Sequence, residues 1–159
     1  NIFKSILDKV KRIPGDKYCE HKIGLTKDLE PCGFFDDNVW WRGVLDLLVI
    51  DKDKNLATVI DYKTGKSSQY ADTRQLSLMS VGVFKHFPEV ESIKSALMFL
   101  VSKELIKEDY SSKKVEEMFE EWGKITHRID TAYQTNVFNA VPNFGCRWCP
   151  VASCAHNGK

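Results

Sequence analysis

The sequence lacks long hydrophobic runs, since no apolar stretch approaches the roughly 18 residues that a membrane-spanning helix needs. It also lacks an excess of charge of one sign, because 23 Lys and Arg residues balance 22 Asp and Glu residues to within +1. This balance excludes a broadly basic protein that coats nucleic acid, but it is compatible with a local basic groove. The chain starts without a Met or a signal-peptide layout, so we expect that an N-terminal segment is missing.

Cysteine is scarce and odd in number, because five residues cannot form a complete disulfide framework. Three of the five fall within the last 14 residues, which indicates a metal site in a reducing compartment. With 159 residues, of which 43% are hydrophobic, the chain is long enough to bury one core. We therefore expect a single domain, with a core over residues 1–140 and a cysteine-rich tail over 141–159 packing on it.

Hydrophobic periodicity predicts alternating helices and strands. Helices are expected at 2–13, at 71–87 and from a cap at Ser111 or Ser112 through about Tyr133, and strands at 18–25, 40–50, 56–63 and 93–101. The order predicts an α/β fold, in which a central mixed β-sheet carries helices on both sides.

Two acidic residues lie at mirror positions in the predicted hairpin formed by strands 40–50 and 56–63. Asp46 and Asp61 are equally far from the midpoint of its polar loop, so an antiparallel pairing places them opposite each other on one face. Lys63 lies two residues beyond Asp61 and therefore points to the same face. The sequence thus predicts two carboxylates and one ammonium within a few ångströms.

The surroundings of the two carboxylates favour a bound divalent cation. Both acids lie within runs of Val, Leu and Ile, where a carboxylate is costly to bury without compensation. Mg²⁺ prefers hard oxygen ligands and commonly binds through one or two carboxylates. Asp46, Asp61 and the backbone carbonyl of Tyr62 are therefore the predicted ligands.

Lys63 fits a phosphoryl-transfer site. It can hold or deprotonate an attacking water, or neutralise the charge that grows on the phosphorane. The alternative is a structural salt bridge from Lys63 to Asp46 or Asp61 at a sheet edge. The second strand continues into Thr64 and Gly65, and this sequence together with the mirrored acids favours the catalytic interpretation.

These motifs resemble the RecB-like branch of the PD-(D/E)XK nuclease superfamily. The family pattern is Gly-x-x-Asp, then Asp/Glu-x-Lys-Thr-Gly, then a helix with Gln-x-x-x-Tyr, and this chain has Gly43–Asp46, Asp61–Gly65 and Gln75–Met79. The resemblance extends to CRISPR-associated, AddB-type and phage exonucleases. It implies a restriction-endonuclease-like core, metal ligands at Asp46 and Asp61, a catalytic Lys63, and a Gln75 that positions the lysine or the DNA.

Two departures from the family pattern affect the expected site. Met79 stands where the family has Tyr, so that contact is absent or is supplied elsewhere, for example by Tyr70. The family also carries an upstream His or Glu that completes the metal site. Glu20 is the candidate within this chain, and the alternative is a ligand located before Asn1.

The tail carries Cys146, Cys149 and Cys154 within nine residues. The resemblance implies a structural [4Fe–4S] cluster on these cysteines, with Cys19, Cys32 or a residue located before Asn1 as the fourth ligand. Zinc is the competing prediction, because three cysteines and His156 suit tetrahedral Zn²⁺. The third alternative is that the thiols are reduced and bind no metal.

The expected function is hydrolysis of DNA phosphodiester bonds with Mg²⁺ or Mn²⁺, acting from an end or on single strands in recombination, replication or repair. Lys66, Arg74 and Trp41 are the candidate DNA contacts. The alternative is a catalytically impaired DNA-binding or scaffold module that keeps the nuclease fold. The expected partner is DNA rather than a membrane, and the expected location is the cytoplasm of a bacterial, archaeal or phage-infected cell.

Overall fold

The computed structural model describes residues 2–69 and 71–158, and side chains from Lys4 onward. The chain forms two compact units, one up to Trp122 and one from Gly123 onward. The first unit contains the sheet, and helix α3 crosses the boundary between the units. In chain order the elements are α1 (Ile2–Lys11), β1 (Asp16–Leu25), β2 (Pro31–Cys32), β3 (Trp41–Asp51), β4 (Leu56–Lys63), α2 (Arg74–His86), β5 (Ser92–Phe99), β6 (Leu105–Ser111) and α3 (Val115–Thr135).

The six strands form one sheet in the order β2-β1-β3-β4-β5-β6. β4 and β5 pair in parallel, and all other neighbours pair antiparallel. The predicted mixed sheet is therefore confirmed. Its parallel pair requires a crossover, which α2 supplies between the two strands.

Both faces of the sheet carry helices, as predicted. On one face, Leu48, Ile50 and Val59 pack in a buried cluster with residues of α2 and the start of α3. On the other face, Leu47, Val49 and Ile60 pack against Val10 and Ile13, at the end of α1 and just beyond it. Burial of these two apolar faces holds the sheet between its helices.

Strands β2 and β6 were not predicted from the sequence. β2 has only two residues, too few for a periodic pattern. β6 is a polar edge strand in which exposed and half-buried residues alternate and no residue is buried. Charged side chains on an edge strand suppress pairing with other chains, and they also weaken the hydrophobic signal of a strand.

The alternation of faces is interrupted in β1 and β3 at neighbouring positions. Leu45 and Leu48 lie in the same core cluster although they are three residues apart, so the alternation breaks at the residues between them, Asp46 and Leu47. In β1 the corresponding position is Glu20, which has a left-handed backbone with φ 51°. A positive φ is unfavourable for a residue with a Cβ and is over-represented at functional sites.

Two helix starts show how side chains set the boundaries. α2 begins at Arg74 rather than at residue 71, because the Asp72 carboxylate accepts a hydrogen bond from the Arg74 backbone N–H at 3.0 Å. Before α3, the Ser111 hydroxyl accepts from the Lys113 N–H at 3.4 Å, so Ser111 is the predicted cap. A short 3₁₀ turn at Ser112–Lys114 separates this cap from α3.

The second unit has little buried surface of its own. Several of its large apolar side chains are exposed, among them Phe138, Val141, Phe144 and Trp148. Its last segment forms a short 3₁₀ helix at Phe144–Trp148, where the sequence predicted irregular structure. In the described residues, no helix combines the length and the apolar character that crossing a bilayer requires.

Candidate active site

The hairpin of β3 and β4 has the predicted register. Leu47 pairs with Ile60 and Leu48 with Val59, so one further step along the same register places Asp46 across from Asp61. The regular ladder ends before that step. There the Asp46 Oδ2 atom accepts a hydrogen bond from the backbone N–H of Tyr62 at 2.7 Å. The Asp46 carboxylate therefore lies against the peptide that follows Asp61.

Asp61 is buried, with 8% of its surface exposed, and its Oδ2 atom lies 2.7 Å from Lys63 Nζ. The geometry of this contact is that of an ion pair and not of a directional hydrogen bond. Among the described residues, Asp61 Oδ2 has no hydrogen-bond partner. The Lys63 ammonium already compensates part of the charge of this buried carboxylate, and the oxygen keeps lone pairs that a metal ion could bind.

Lys63 also contacts α2, because its Nζ atom donates to Gln75 Oε1 at 3.2 Å. The structural salt bridge considered from the sequence is thus present between Lys63 and Asp61, and Gln75 is a second acceptor. About a third of the Lys63 side chain remains exposed. An ammonium group held by two acceptors and still open to solvent can reach a bound substrate.

A small pocket of about 260 Å³ opens beside Lys63 and Gln75. Its other lining residues are Ser67, Ala71, Asp72, Leu97 and Phe99. The loop from Ser67 is tied to the β5–β6 turn, since the Ser68 N–H donates to Glu104 Oε2 at 3.2 Å. Hydrogen bonding by Ser68, and then by Ser102, lowers the pKa of Glu104.

Asp72 was not singled out from the sequence, yet it lies at this pocket. Its carboxylate accepts hydrogen bonds from Arg74 Nε and from Arg74 Nη2, the latter at 2.6 Å. This hydrogen bonding by Arg74 lowers the pKa of Asp72 to about 2. The signal in the sequence is an Asp two residues before the first helical residue, a position from which it can satisfy a free helix N–H.

The donor set at the hairpin fits a hard divalent cation. Asp46 and Asp61 supply carboxylate oxygens, and Asp61 Oδ2 is buried without a hydrogen bond among the described residues. Glu20 lies across from Asp46, since its neighbours Cys19 and His21 pair with Leu47 and Leu45. Glu20 is exposed, however, and the described residues contain no group of three His, Cys, Asp or Glu side chains arranged to hold a metal.

The candidate DNA contacts lie in different environments. Lys66 is exposed in the loop after β4, and the Arg74 guanidinium is paired with Asp72. Trp41 packs partly buried against the core, where its ring lies close above Gly43 and Gly82. This packing accounts for the position of the Trp41 ring, and its contact with DNA stays a prediction. Tyr70, the suggested substitute for the family tyrosine, lies outside the described residues.

The cysteine tail is held by local backbone contacts. The Cys146 carbonyl accepts from both the Cys149 N–H and the Gly158 N–H, at 3.3 and 3.0 Å, which folds residues 146–158 back on themselves. Asn157 Nδ2 donates to the Cys149 carbonyl at 2.6 Å. All five cysteines of the chain are free. Within the described part of the chain, Cys146, Cys149, Cys154 and His156 do not form a metal-ligand group as arranged here.

Cys19 and Cys32, the suggested fourth ligands, both lie in the sheet unit. Cys19 is exposed on β1, where it pairs with Leu47. Cys32 is half-buried on β2, and its pKa is raised by burial and by the nearby Asp36.

Comparison with known proteins agrees with this geometry. A family model described as the PD-(D/E)XK nuclease superfamily matches residues 9–154. No curated protein matches the sequence. A solved structure titled "Crystal structure of SSO0001" is similar at 12% identity and a TM-score of 0.41, over 93% of this chain and 64% of that one. Because the family model spans nearly the whole sequence, including both strands of the acidic hairpin and the helix with Gln75, this chain belongs to the PD-(D/E)XK nuclease superfamily.

Proposed function

We propose that this protein is a divalent-metal-dependent deoxyribonuclease, specifically an exonuclease that acts on DNA ends or single strands in recombination, replication or repair. One observation carries the proposal. Lys63 contacts Asp61 and Gln75, and the Asp46 carboxylate lies against the adjoining Tyr62 peptide. Acidic, basic and amide groups from two strands and one helix thus converge beside a pocket.

Asp46 and Asp61 would hold Mg²⁺ or Mn²⁺, together with the Tyr62 carbonyl, and Glu20 is the further candidate ligand. When bound, such an ion polarises the phosphate and lowers the pKa of a coordinated water. Asp61 would also position the amine, and its contact with Lys63 Nζ supports this second role.

Lys63 is the group that would act on the reacting atoms. Held between Asp61 and Gln75, its Nζ atom has little freedom to swing away from the pocket. In the ammonium form it neutralises charge on the phosphorane oxygens, and in the amine form it accepts a proton from the attacking water. Gln75 positions this side chain by accepting one of its hydrogen bonds.

The test is digestion of end-labelled single-stranded and duplex DNA with Mg²⁺ or Mn²⁺. Lys63→Ala should lower the rate by about 10²- to 10⁴-fold, the range typical for loss of a general acid or base. Lys94→Ala is the matched control, because Lys94 is an exposed lysine on the neighbouring strand β5. Equal inactivity of the parent and Lys63→Ala with both ions would overturn the enzyme proposal. A ladder of internal cuts on circular DNA would overturn its exonuclease part.

A catalytically impaired DNA-binding or scaffold module is the second candidate. Glu20 favours the impaired module. This third acid lies on β1 across from Asp46, but it is exposed and does not form a metal-ligand group with Asp46 and Asp61 among the described residues. DNA binding without hydrolysis in the same experiment would support this candidate.

For the tail, a [4Fe–4S] cluster on Cys146, Cys149 and Cys154 and a structural Zn²⁺ with His156 both remain proposals. The described arrangement fits neither without movement of the side chains. Iron, sulfide and zinc analysis of protein purified without oxygen distinguishes them, and a visible absorption band accompanies only the cluster. Five free cysteines agree with a reducing cytoplasm.

A further inference from the structure

The loop after β2 carries two adjacent aromatic residues that the proposed site does not use. Phe34 and Phe35 meet edge to face, with ring centroids 4.9 Å apart. Phe35 is 74% exposed, an unusual state for a side chain of this size. Burial in the core therefore does not explain this pair.

Two cations lie against these rings. Lys22 Nζ is 5.5 Å from the centroid of Phe34 and 5.4 Å from that of Phe35, and the Arg42 guanidinium is 5.8 Å from Phe34. Lys22 and Arg42 come from neighbouring strands and occupy diagonal positions, because Lys22 pairs with Val44 and Gly24 with Arg42. The sheet thus fixes both charges next to the aromatic pair.

The two cations are not neutralised by the protein. Within residues 2–69 and 71–158, neither Lys22 nor Arg42 forms a salt bridge. Asp36, in the same loop, makes no salt bridge to either cation, and its Oδ2 atom accepts from the Gly33 N–H at 2.6 Å. Two unpaired positive charges beside an exposed ring are complementary to a phosphate chain that carries bases.

The group lies on β1, β3 and the loop after β2, and Arg42 and Asp46 are four residues apart on β3, about 13 Å along the strand. Trp41 packs against α2, so Arg42 points to the opposite face of the sheet from Lys63, which contacts Gln75 of α2. The group is therefore a surface separate from the candidate active site.

We propose that Phe34, Phe35, Lys22 and Arg42 form a binding site for a single DNA strand, which we call the aromatic platform. A base stacks on the exposed ring of Phe35, while Lys22 and Arg42 bind the flanking phosphates. A duplex is disfavoured, because its bases are already stacked and their faces are closed. The choice of DNA as the ligand rests on the nuclease function proposed above.

The test is fluorescence anisotropy with a labelled oligothymidine, using the full chain with Lys63→Ala so that the probe is not cut. Phe35→Ala in this background should raise the Kd about 5- to 150-fold, the range measured for loss of one base-stacking aromatic. Phe35→Trp should retain binding, because a larger ring preserves the stack. Unchanged unfolding temperatures would show that the variants are folded.

Phe138→Ala is the matched control. Phe138 is also exposed, at 62%, and meets Tyr133 edge to face at 5.4 Å, but no cation–π contact accompanies it among the described residues. Its Kd should equal that of the parent. Lys22→Gln and Arg42→Gln should each reduce the slope of log K against log salt by about 0.7, as expected for one phosphate contact on a single strand.

Three results would overturn the aromatic platform: a Kd unchanged by Phe35→Ala, an equal loss of affinity for duplex DNA, or an equal loss in the Phe138→Ala control. These results are independent of hydrolysis. A parent protein that cuts no DNA with Mg²⁺ or Mn²⁺ would contradict the nuclease proposal, while the anisotropy series would still decide whether the platform binds DNA.

Discussion

The acidic hairpin and the cysteine tail are the two chemically distinctive regions of this chain, and they are held in place differently. The hairpin lies in the middle of a six-stranded sheet, where buried side chains on both faces fix its register. The tail is fixed by backbone hydrogen bonds within residues 146–158, and its large apolar side chains are exposed. The sheet can therefore hold its functional groups in position before any ligand binds, whereas the tail has no comparable core.

The largest expected effect is at the acids of the hairpin that are proposed to bind the ion. Asp61→Asn should lower metal-dependent hydrolysis by more than about 100-fold, since even partners of metal ligands contribute that much. Mg²⁺ should raise the unfolding temperature of the parent by mass action and leave that of Asp61→Asn unchanged. Differential scanning fluorimetry across a Mg²⁺ titration checks this. An equal shift in both proteins would mean that the ion binds elsewhere.

The contrast in packing predicts unequal costs for two similar deletions. Leu48→Ala removes a fully buried side chain and should cost about 2–5 kcal/mol of unfolding free energy. Val141→Ala removes a side chain that is 75% exposed and should change it by less than about 0.5 kcal/mol. Urea unfolding measures both. A comparable cost at Val141 would break the comparison, because it would reveal a buried core in the tail.

Gln75→Ala tests whether the position of Lys63 on the sheet depends on its contact with the crossover helix α2. Loss of the acceptor for Lys63 should reduce kcat about 10- to 100-fold with little change in KM, since Gln75 acts by positioning the lysine. Gln75→Glu retains an acceptor oxygen and should recover most of the rate. Gln134→Ala, on an exposed position of α3, is the control. An equal decrease in the control would contradict the positioning role.

Asn157→Ala tests the local contacts of the tail. The Asn157 side chain donates to the Cys149 carbonyl, and one such hydrogen bond contributes about 1 kcal/mol. We expect faster amide exchange within residues 146–158 and no change in the unfolding temperature of the sheet. Hydrogen exchange with mass spectrometry reads both. Faster exchange in the strands of the sheet, or a lower unfolding temperature, would show that the tail supports the sheet.

The smallest effect is expected at Asp72. Its pKa is lowered to about 2 by Arg74, so its ion pair contributes stability above the ordinary value of 3.8, and this is lost as the pH falls through about 2. Because the pair is exposed, Asp72→Asn should cost no more than about 1 kcal/mol at pH 7. The difference in unfolding free energy between parent and variant, measured by urea unfolding, should largely disappear at pH 2. A gap that persists there would exclude the ion pair as its cause.

The sequence predicts the sheet hairpin well, because its signals are local and strong. Strand Leu56–Lys63 has the predicted bounds, and the mirrored positions of Asp46 and Asp61 follow from the loop that joins β3 and β4. The register brings the two acids to neighbouring positions, but the ladder ends before Asp46, so the spacing does not fix the direction of its side chain. Their catalytic roles remain predictions.

Other features could not be predicted, because they arise from contacts between distant segments. β6 is polar, and only its pairing with β5 makes it a strand. The left-handed backbone of Glu20 and the interrupted alternation at Asp46 are consequences of packing, which a period of two residues does not show. Asp72 and the aromatic platform were missed for related reasons. Asp72 lies where the sequence predicted the start of α2, and its partner Arg74 is the first residue of the helix. The residues of the aromatic platform come from β1, β3 and the loop after β2.

The parallel pairing of β4 with β5 has a consequence for engineering. Lys63 ends β4 and Gln75 lies in the first turn of α2, twelve residues later, so their contact depends on where the crossover helix is held. The pairing of β4 with β5 fixes that helix over the sheet. Grafting the Asp-Tyr-Lys segment onto another hairpin would therefore transfer the acids and the amine without the amide that steadies them, and a useful transplant would have to include the whole strand–helix–strand unit.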